Sequence, residues 1–210
     1  MVVSFSLPEE LIQQRVQQIH QEVLAHSRYL RETDFRAIHP QDLEYLFGAY
    51  DERFFAGLSQ RALEGRKIRF RLSPSMSKAG GKTARFTSST GEVSYEIAIA
   101  ISMLFDGFGK KDRRISVCGL ECQNRLEALQ RILDHEMVHL VEQLCWESSD
   151  CATARFQGIA KRFFLHRAHT HDLVTRRERA AESGIRVGSW VTFALEDTRL
   201  NSAVSLQEKR

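Results

Sequence analysis

The run His135-Glu136-Met137-Val138-His139 constrains this chain most, because it sits inside a helical stretch whose regularly spaced residues are apolar. The spacing predicts a helix from Asn124, with Glu127 three positions on as in a capping box. It continues through Leu126, Leu129, Leu133, Leu140 and Leu144 to Trp146. Two imidazoles and a carboxylate in that setting are costly unless something satisfies them, so any fold of this chain must bring partners to them. Positions i and i+4 of a helix lie about 40° apart around the axis and about 6 Å along it, so His135 and His139 can converge on one metal ion. Glu136 is then placed to take a proton from a water held by that ion, the general-base role in metal-assisted hydrolysis.

A catalytic zinc takes three protein ligands and leaves a fourth position to water. The downstream candidates for the third are Cys145, Cys151, His166, His169 and His171. A helix is expected over residues 150–165, capped by Ser149 or Asp150 and carrying Phe156, Ile159, Ala160 and Phe163. If it runs away from the metal, its far end lies about 22 Å from its start. Cys151 is then favoured, at a helix amino terminus whose dipole would support a thiolate. His166 falls beyond the far end, and His169 or His171 would reach the ion only if the helix breaks, for which Gly158 offers a place. Cys145, mid-helix beside Trp146, is expected in the core. Cys118-Gly-Leu-Glu-Cys122 has the spacing of half a structural zinc site, but no second pair follows, which favours packing or a helix cap.

The rest of the chain predicts an α+β fold. Apolar residues recur at helical spacing over residues 8–31 and again over residues 40–55, the second stretch opening on a proline and closing before Gly57. Period-two alternation over residues 67–72 and 93–101 predicts strands, with a third over residues 82–86, and a small antiparallel sheet follows. The run of residues 97–108, broken by Ser102, Asp106 and Gly107, is too short to cross a bilayer. The first ten residues carry no positive charge ahead of an apolar stretch, and four cysteines suit reduced thiols, so a cytoplasmic protein is expected. The net charge of +3 conceals a gradient: −4 over residues 1–60, +7 over 61–114 and 0 over 115–210. Arg61, Arg66, Lys67, Arg69, Arg71, Lys78, Lys82, Arg85, Lys110, Lys111, Arg113 and Arg114 would attract phosphates, including DNA, if they converge in space.

Several pieces occur in a fixed order: Leu43-Glu-Tyr-Leu-Phe47 with Asp51-Glu-Arg-Phe-Phe55, Ile68-Arg-Phe-Arg-Leu72 with Ser75-Met-Ser-Lys-Ala-Gly-Gly81, Tyr95-Glu-Ile-Ala-Ile99, the His135–His139 motif, and Phe156-Gln-Gly-Ile-Ala-Lys-Arg162. In these the chain resembles the SprT-like family of zinc metalloproteases, which includes the Spartan proteases acting on DNA–protein crosslinks. The resemblance covers about residues 40–168. It implies a zincin-like fold with the sheet packed on the motif helix, Zn2+ as cofactor, and peptide hydrolysis with Glu136 as base and His135 and His139 as ligands. The family's third ligand is a histidine in His-Gly-Pro-x-Phe; counting back from Phe156 that position holds Ala152, and Cys151 stands one place earlier. Either a cysteine replaces the histidine or the site is incomplete. A thiolate would cancel one charge of the zinc and weaken it as a Lewis acid. The alternative is therefore a metal-stabilised nucleic-acid-binding or adaptor protein without turnover. The implied organisation is an amphipathic helix over residues 1–35, a metalloprotease domain over 36–172, and an extension over 173–210. In that extension Gly184-Ile-Arg-Val-Gly-Ser-Trp-Val-Thr-Phe193 resembles the first strand of an SH3-like barrel, with Ser189 where an aspartate is common.

Overall fold

A computed structural model describes residues 6–108 and 114–173, together with the backbone of residues 204–205. Helix α1 (Glu9–His26) turns Ile12, Ile19 and Val23 inward at helical spacing. It stops five residues earlier than periodicity predicts because Ser27 turns the chain. The Ser27 hydroxyl accepts from the Tyr29 and Leu30 N–H groups and donates to Asp42 Oδ1 at 2.6 Å. A two-residue strand β1 (Ala37–Ile38) leads into α2 (Pro40–Phe55), whose bounds match the sequence expectation. A capping box starts α2: His39 Nδ1 accepts from the Gln41 N–H, and Asp42 Oδ2 accepts from the His39 N–H. A short α3 (Leu58–Leu63), not expected from periodicity, follows; Asp51 accepts from the Ser59 and Gln60 N–H groups at its start.

The main sheet consists of β2 (Ile68–Ser73), β3 (Gly81–Thr87) and β4 (Val93–Ala100) in the order β2-β4-β3. The expected antiparallel sheet is mixed instead: β3 and β4 form an antiparallel hairpin, while β4 lies parallel to β2. Period-two alternation identifies a strand but not its neighbour. Here β4 inserts between two strands that precede it. Its central place explains why it is buried without interruption from Tyr95 to Ala100, whereas β2 and β3 keep exposed residues.

β4 runs directly into α4 (Ile101–Gly107), and beyond it β5 (Ile115–Val117) and β6 (Leu120–Cys122) form a second hairpin. Its two-residue turn holds Cys118 at φ 54° and Gly119 at φ 74°, both left-handed as a type I′ turn requires. The motif helix α5 (Arg125–Trp146) is capped by Asn124, whose side chain accepts from the Glu127 N–H, while Glu127 reaches back to the Gln123 N–H. Helix α6 (Ala154–Phe164) packs along α5. The backbone of β7 (Val204–Ser205) pairs antiparallel with β1. The expected barrel strand over residues 185–195 lies outside the described residues.

α5 forms the axis of the core, with α1, α2, α3, α4, α6 and the strands β3, β4, β5 and β6 against it. Phe54 and Phe55 of α2 pack against Phe163 and Phe164 of α6 with tilted and edge-on rings. A buried polar chain crosses the same core: His20 Nδ1 lies 2.8 Å from Gln130 Oε1, and Gln130 Nε2 donates to the Tyr50 hydroxyl at 3.1 Å and the Val16 carbonyl at 3.2 Å. This ties α1, α2 and α5 through one side chain. The fold is α+β, and among the described residues no helix is long and apolar enough to cross a membrane.

Candidate metal centre

One turn of α5 brings the rings of His135 and His139 to 4.9 Å between centroids. Phe156, on the first turn of α6, packs against both, at 4.8 and 4.4 Å. This aromatic wall holds the two rings side by side. His139 Nδ1 lies 2.6 Å from Ser149 Oγ, and that hydroxyl donates to Glu142 Oε2 at 2.6 Å. The carboxylate only accepts, so the single Ser149 proton goes to Glu142 and the serine oxygen accepts from His139 Nδ1–H. The lone pair of His139 is thereby left on Nε2, the tautomer a metal ligand needs. Glu142 is fully buried, and Arg155 Nε donates to its other oxygen at 2.6 Å while the guanidinium stacks on Trp146. Sequence reasoning passed over Glu142 and Arg155 and read Ser149 only as a helix cap, a place that Thr153 takes. The only hint was Glu142 three residues past His139, on the same helix face.

Glu136 points to β3. Thr83 Oγ1 lies 2.8 Å from Glu136 Oε2 and 2.9 Å from its carbonyl oxygen, a hydroxyl able to donate to either. The strand comes so close that a Cβ on Gly81 would stand 2.6 Å from Glu136 Oε1. Burial pushes the Glu136 carboxyl up to about 7, with the Thr83 hydrogen bonds pulling the other way. Burial, then the neighbouring His139 and His166, push His135 down to about 3, and burial lowers His139 as well. Both imidazoles are neutral near pH 7, the form that binds a metal.

The ligand atoms of His135, His139 and Cys151 all lie within 4.8 Å of one another. Cys151 gets there by a route the sequence reading did not foresee. α6 begins at Ala154 with Thr153 as its cap, so Cys151 stands in the preceding turn, where the Thr153 N–H donates to the Asp150 carbonyl and the Ala152 N–H to Asp150 Oδ1. Cys151 thus lies ahead of the cap and not at the helix start, and burial, then the Asp150 charge, push its thiol up. Cys145, expected in the core, is exposed, because the last turn of α5 rotates it away from the sheet and α6.

His166 also departs from expectation. α6 is unbroken through Gly158 and runs alongside α5 instead of away from it, and Leu165 closes it in the left-handed region. That returns His166 to α5, its ring 6.1 Å from that of His135 and its Nε2 2.7 Å from Asp134 Oδ1. Cys118, His135 and His166 make a second group whose ligand atoms lie within 4.8 Å of one another. Cys122 belongs to neither group; its thiol donates to the Leu120 carbonyl. His169 is exposed, and His171 bridges to Val117; neither belongs to either group.

The donors fit zinc: two neutral imidazoles, one fixed in its tautomer by a carboxylate-backed hydroxyl, and a cysteine, with a carboxylate beside them. In the basic segment, Arg69 and Arg71 both pair with Glu96, and Arg66 donates to the Leu63 and Ala62 carbonyls over the Tyr95 ring. Lys110, Lys111 and Arg113 lie outside the described residues. No family model, curated protein or solved structure matches the chain.

Proposed function

We propose that this protein is a zinc-dependent metallopeptidase of zincin-like arrangement, as its resemblance to the SprT-like family implies. His135, His139 and Cys151 would hold the metal. The reading rests chiefly on the Glu136 carboxylate, buried beside two neutral, oriented histidines and held by a hydroxyl that can stabilise its charge. Zinc bound there would acidify water and polarise a peptide carbonyl. Glu136 would accept the proton of the attacking water and deliver it to the departing amine, the general acid–base role its place beside the histidines suits. Thr83 favours the ionised form that starts the reaction.

β3, and not β4, would receive substrate. β4 is paired on both edges. β3 is paired on one edge only within the described sheet, and its Gly81 and Thr83 touch Glu136. An extended peptide added to β3 would run past the carboxylate, with main-chain hydrogen bonds supplying affinity. A DNA-associated protein as substrate, reached through the basic segment, is a further part of this proposal.

The test compares the zinc-loaded parent with Glu136→Gln on an unstructured protein substrate. Cleavage should fall by at least about 100-fold while bound zinc stays equal, since general-base catalysis contributes roughly 10²–10⁴. Equal cleavage by both would refute the mechanism. The second reading, a non-catalytic metal-stabilised adaptor, draws on Cys151, whose thiolate would reduce the zinc's Lewis acidity. A parent that binds zinc and cleaves nothing decides for it.

A further inference from the structure

We propose that Cys118, His135 and His166 form a second, inner position for a thiophilic divalent cation, sharing the His135 imidazole with the outer group. It does not depend on the outer group being catalytic or filled. Cys118 Sγ lies 3.6 Å from His135 Nδ1. A tetrahedral zinc with Zn–S about 2.3 Å and Zn–N about 2.0–2.1 Å requires an S···N edge of roughly 3.5 Å. His135 therefore offers Nδ1 inward and has Nε2 left for the outer group.

His166 supplies an independent observation. Its side chain is 2% exposed, and Nε2 is committed to the fully buried Asp134. The carboxylate fixes the proton on Nε2, so Nδ1 carries a lone pair, and Nδ1 is buried with no hydrogen-bond partner. A buried acceptor without a donor is costly. A thiol of Cys118 bonded to His135 satisfies those two residues and leaves that nitrogen orphaned; a cation satisfies all three. Asp134–His166 is then the carboxylate–histidine pair that orients metal ligands and raises their basicity.

The backbone fixes the third donor. The Cys118 N–H donates to the Thr170 carbonyl at 2.8 Å, and the Cys118 carbonyl accepts from the Arg167 and Ala168 N–H groups at 2.9 and 3.1 Å. These bonds hold the turn between β5 and β6 against the chain that leaves His166. Cys118 and His166 are both buried, so the position is closed, as structural sites are. Filling it would release the Cys118 thiol proton; with both positions filled, His135 would also give up its single ring N–H proton and offer one nitrogen to each ion.

The experiment titrates metal-stripped full-length protein with Co2+ and follows the thiolate-to-cobalt charge-transfer band. The parent should bind two equivalents. The His139→Ala, Cys151→Ser double variant should keep one equivalent and the band. Adding Cys118→Ser should abolish the band, adding Cys122→Ser should leave it, and adding His166→Gln should weaken binding at least about tenfold. A double variant that keeps its circular dichroism yet binds no cobalt, or whose band survives Cys118→Ser, overturns the proposal. A parent that binds one equivalent, unaffected by the double substitution, supports the inner position and removes the outer one.

Discussion

Glu136 carries a stability signature as well as a chemical role. In the metal-free protein its carboxyl is raised from an ordinary value near 4.5 to about 7 by burial. Below pH 4.5 the group is protonated in both folded and unfolded chains and costs nothing. As pH rises from there through 7, only the unfolded chain ionises freely, so folding stability is lost across that window. Glu136→Gln removes the titration. The metal-free variant should therefore match the parent near pH 4 and exceed it at pH 8, by up to about 3 kcal/mol. Urea denaturation with chelator present at both pH values checks this, and equal midpoints at pH 8 would show that burial does not penalise the carboxylate. Ser149 lies one step further out, behind His139. Ser149→Ala removes the hydroxyl between His139 Nδ1 and Glu142, and zinc affinity should fall about 10–100-fold, read by competition with a chromophoric chelator. Unchanged affinity would mean that the hydroxyl does not set the histidine's orientation.

Two glycines report on how the elements meet. Gly81, on β3, faces Glu136 so closely that a methyl group would stand 2.6 Å from its Oε1, 2.7 Å from its Cγ and 2.9 Å from its Cδ, so the side chain would have to shift. Gly81→Ala should cost about 1–3 kcal/mol and displace the base, cutting cleavage more than zinc binding. Gly158, in the middle of α6, has only the end of the Arg162 side chain within reach, at 3.6 Å. Gly158→Ala should raise stability by up to about 1 kcal/mol with the site untouched. Thermal melts of the two variants shifting the same way would contradict this contrast. The same elements show what the sequence disclosed. α2 was legible because its apolar spacing opens on Pro40 and closes before Gly57, and α5 because its apolar spacing agrees with the Asn124–Glu127 cap. His135, Glu136 and His139 were legible because they share one helix turn. Cys118 and His166 were not, since they depend on a hairpin turn and on the direction of α6, and periodicity encodes neither. The mixed sheet escaped for the same reason: strand order is a property of tertiary packing. Cys145 was misplaced by a helix face that turns outward in its last turn, beyond Leu140 and Val141.

At the scale of the whole molecule, α5 carries both the Gln130 chain of the core and the histidines of the proposed metal centre, and α6 joins the two again through Phe156 against His135 and His139 and Phe164 against His166. The interlocked Phe54, Phe55, Phe163 and Phe164 lie between α2 and α6, and the Gln130 chain ties α1 to α2 five residues before His135. Neither cluster contains a metal ligand. A chain with this much apolar surface buried away from the site does not need an ion to fold, unlike a zinc finger, whose small core fails without one. Metal should instead add stability by mass action, about 2.7 kcal/mol at a free concentration 100 times the dissociation constant. For a chain of this size that corresponds to a melting shift on the order of 5–10 °C. Chelation should therefore leave the far-ultraviolet helix signal and a single cooperative transition in place while lowering its midpoint. If chelator instead abolishes the helix signal at room temperature, the ion organises α5 and α6, and the core described here is insufficient to hold them together.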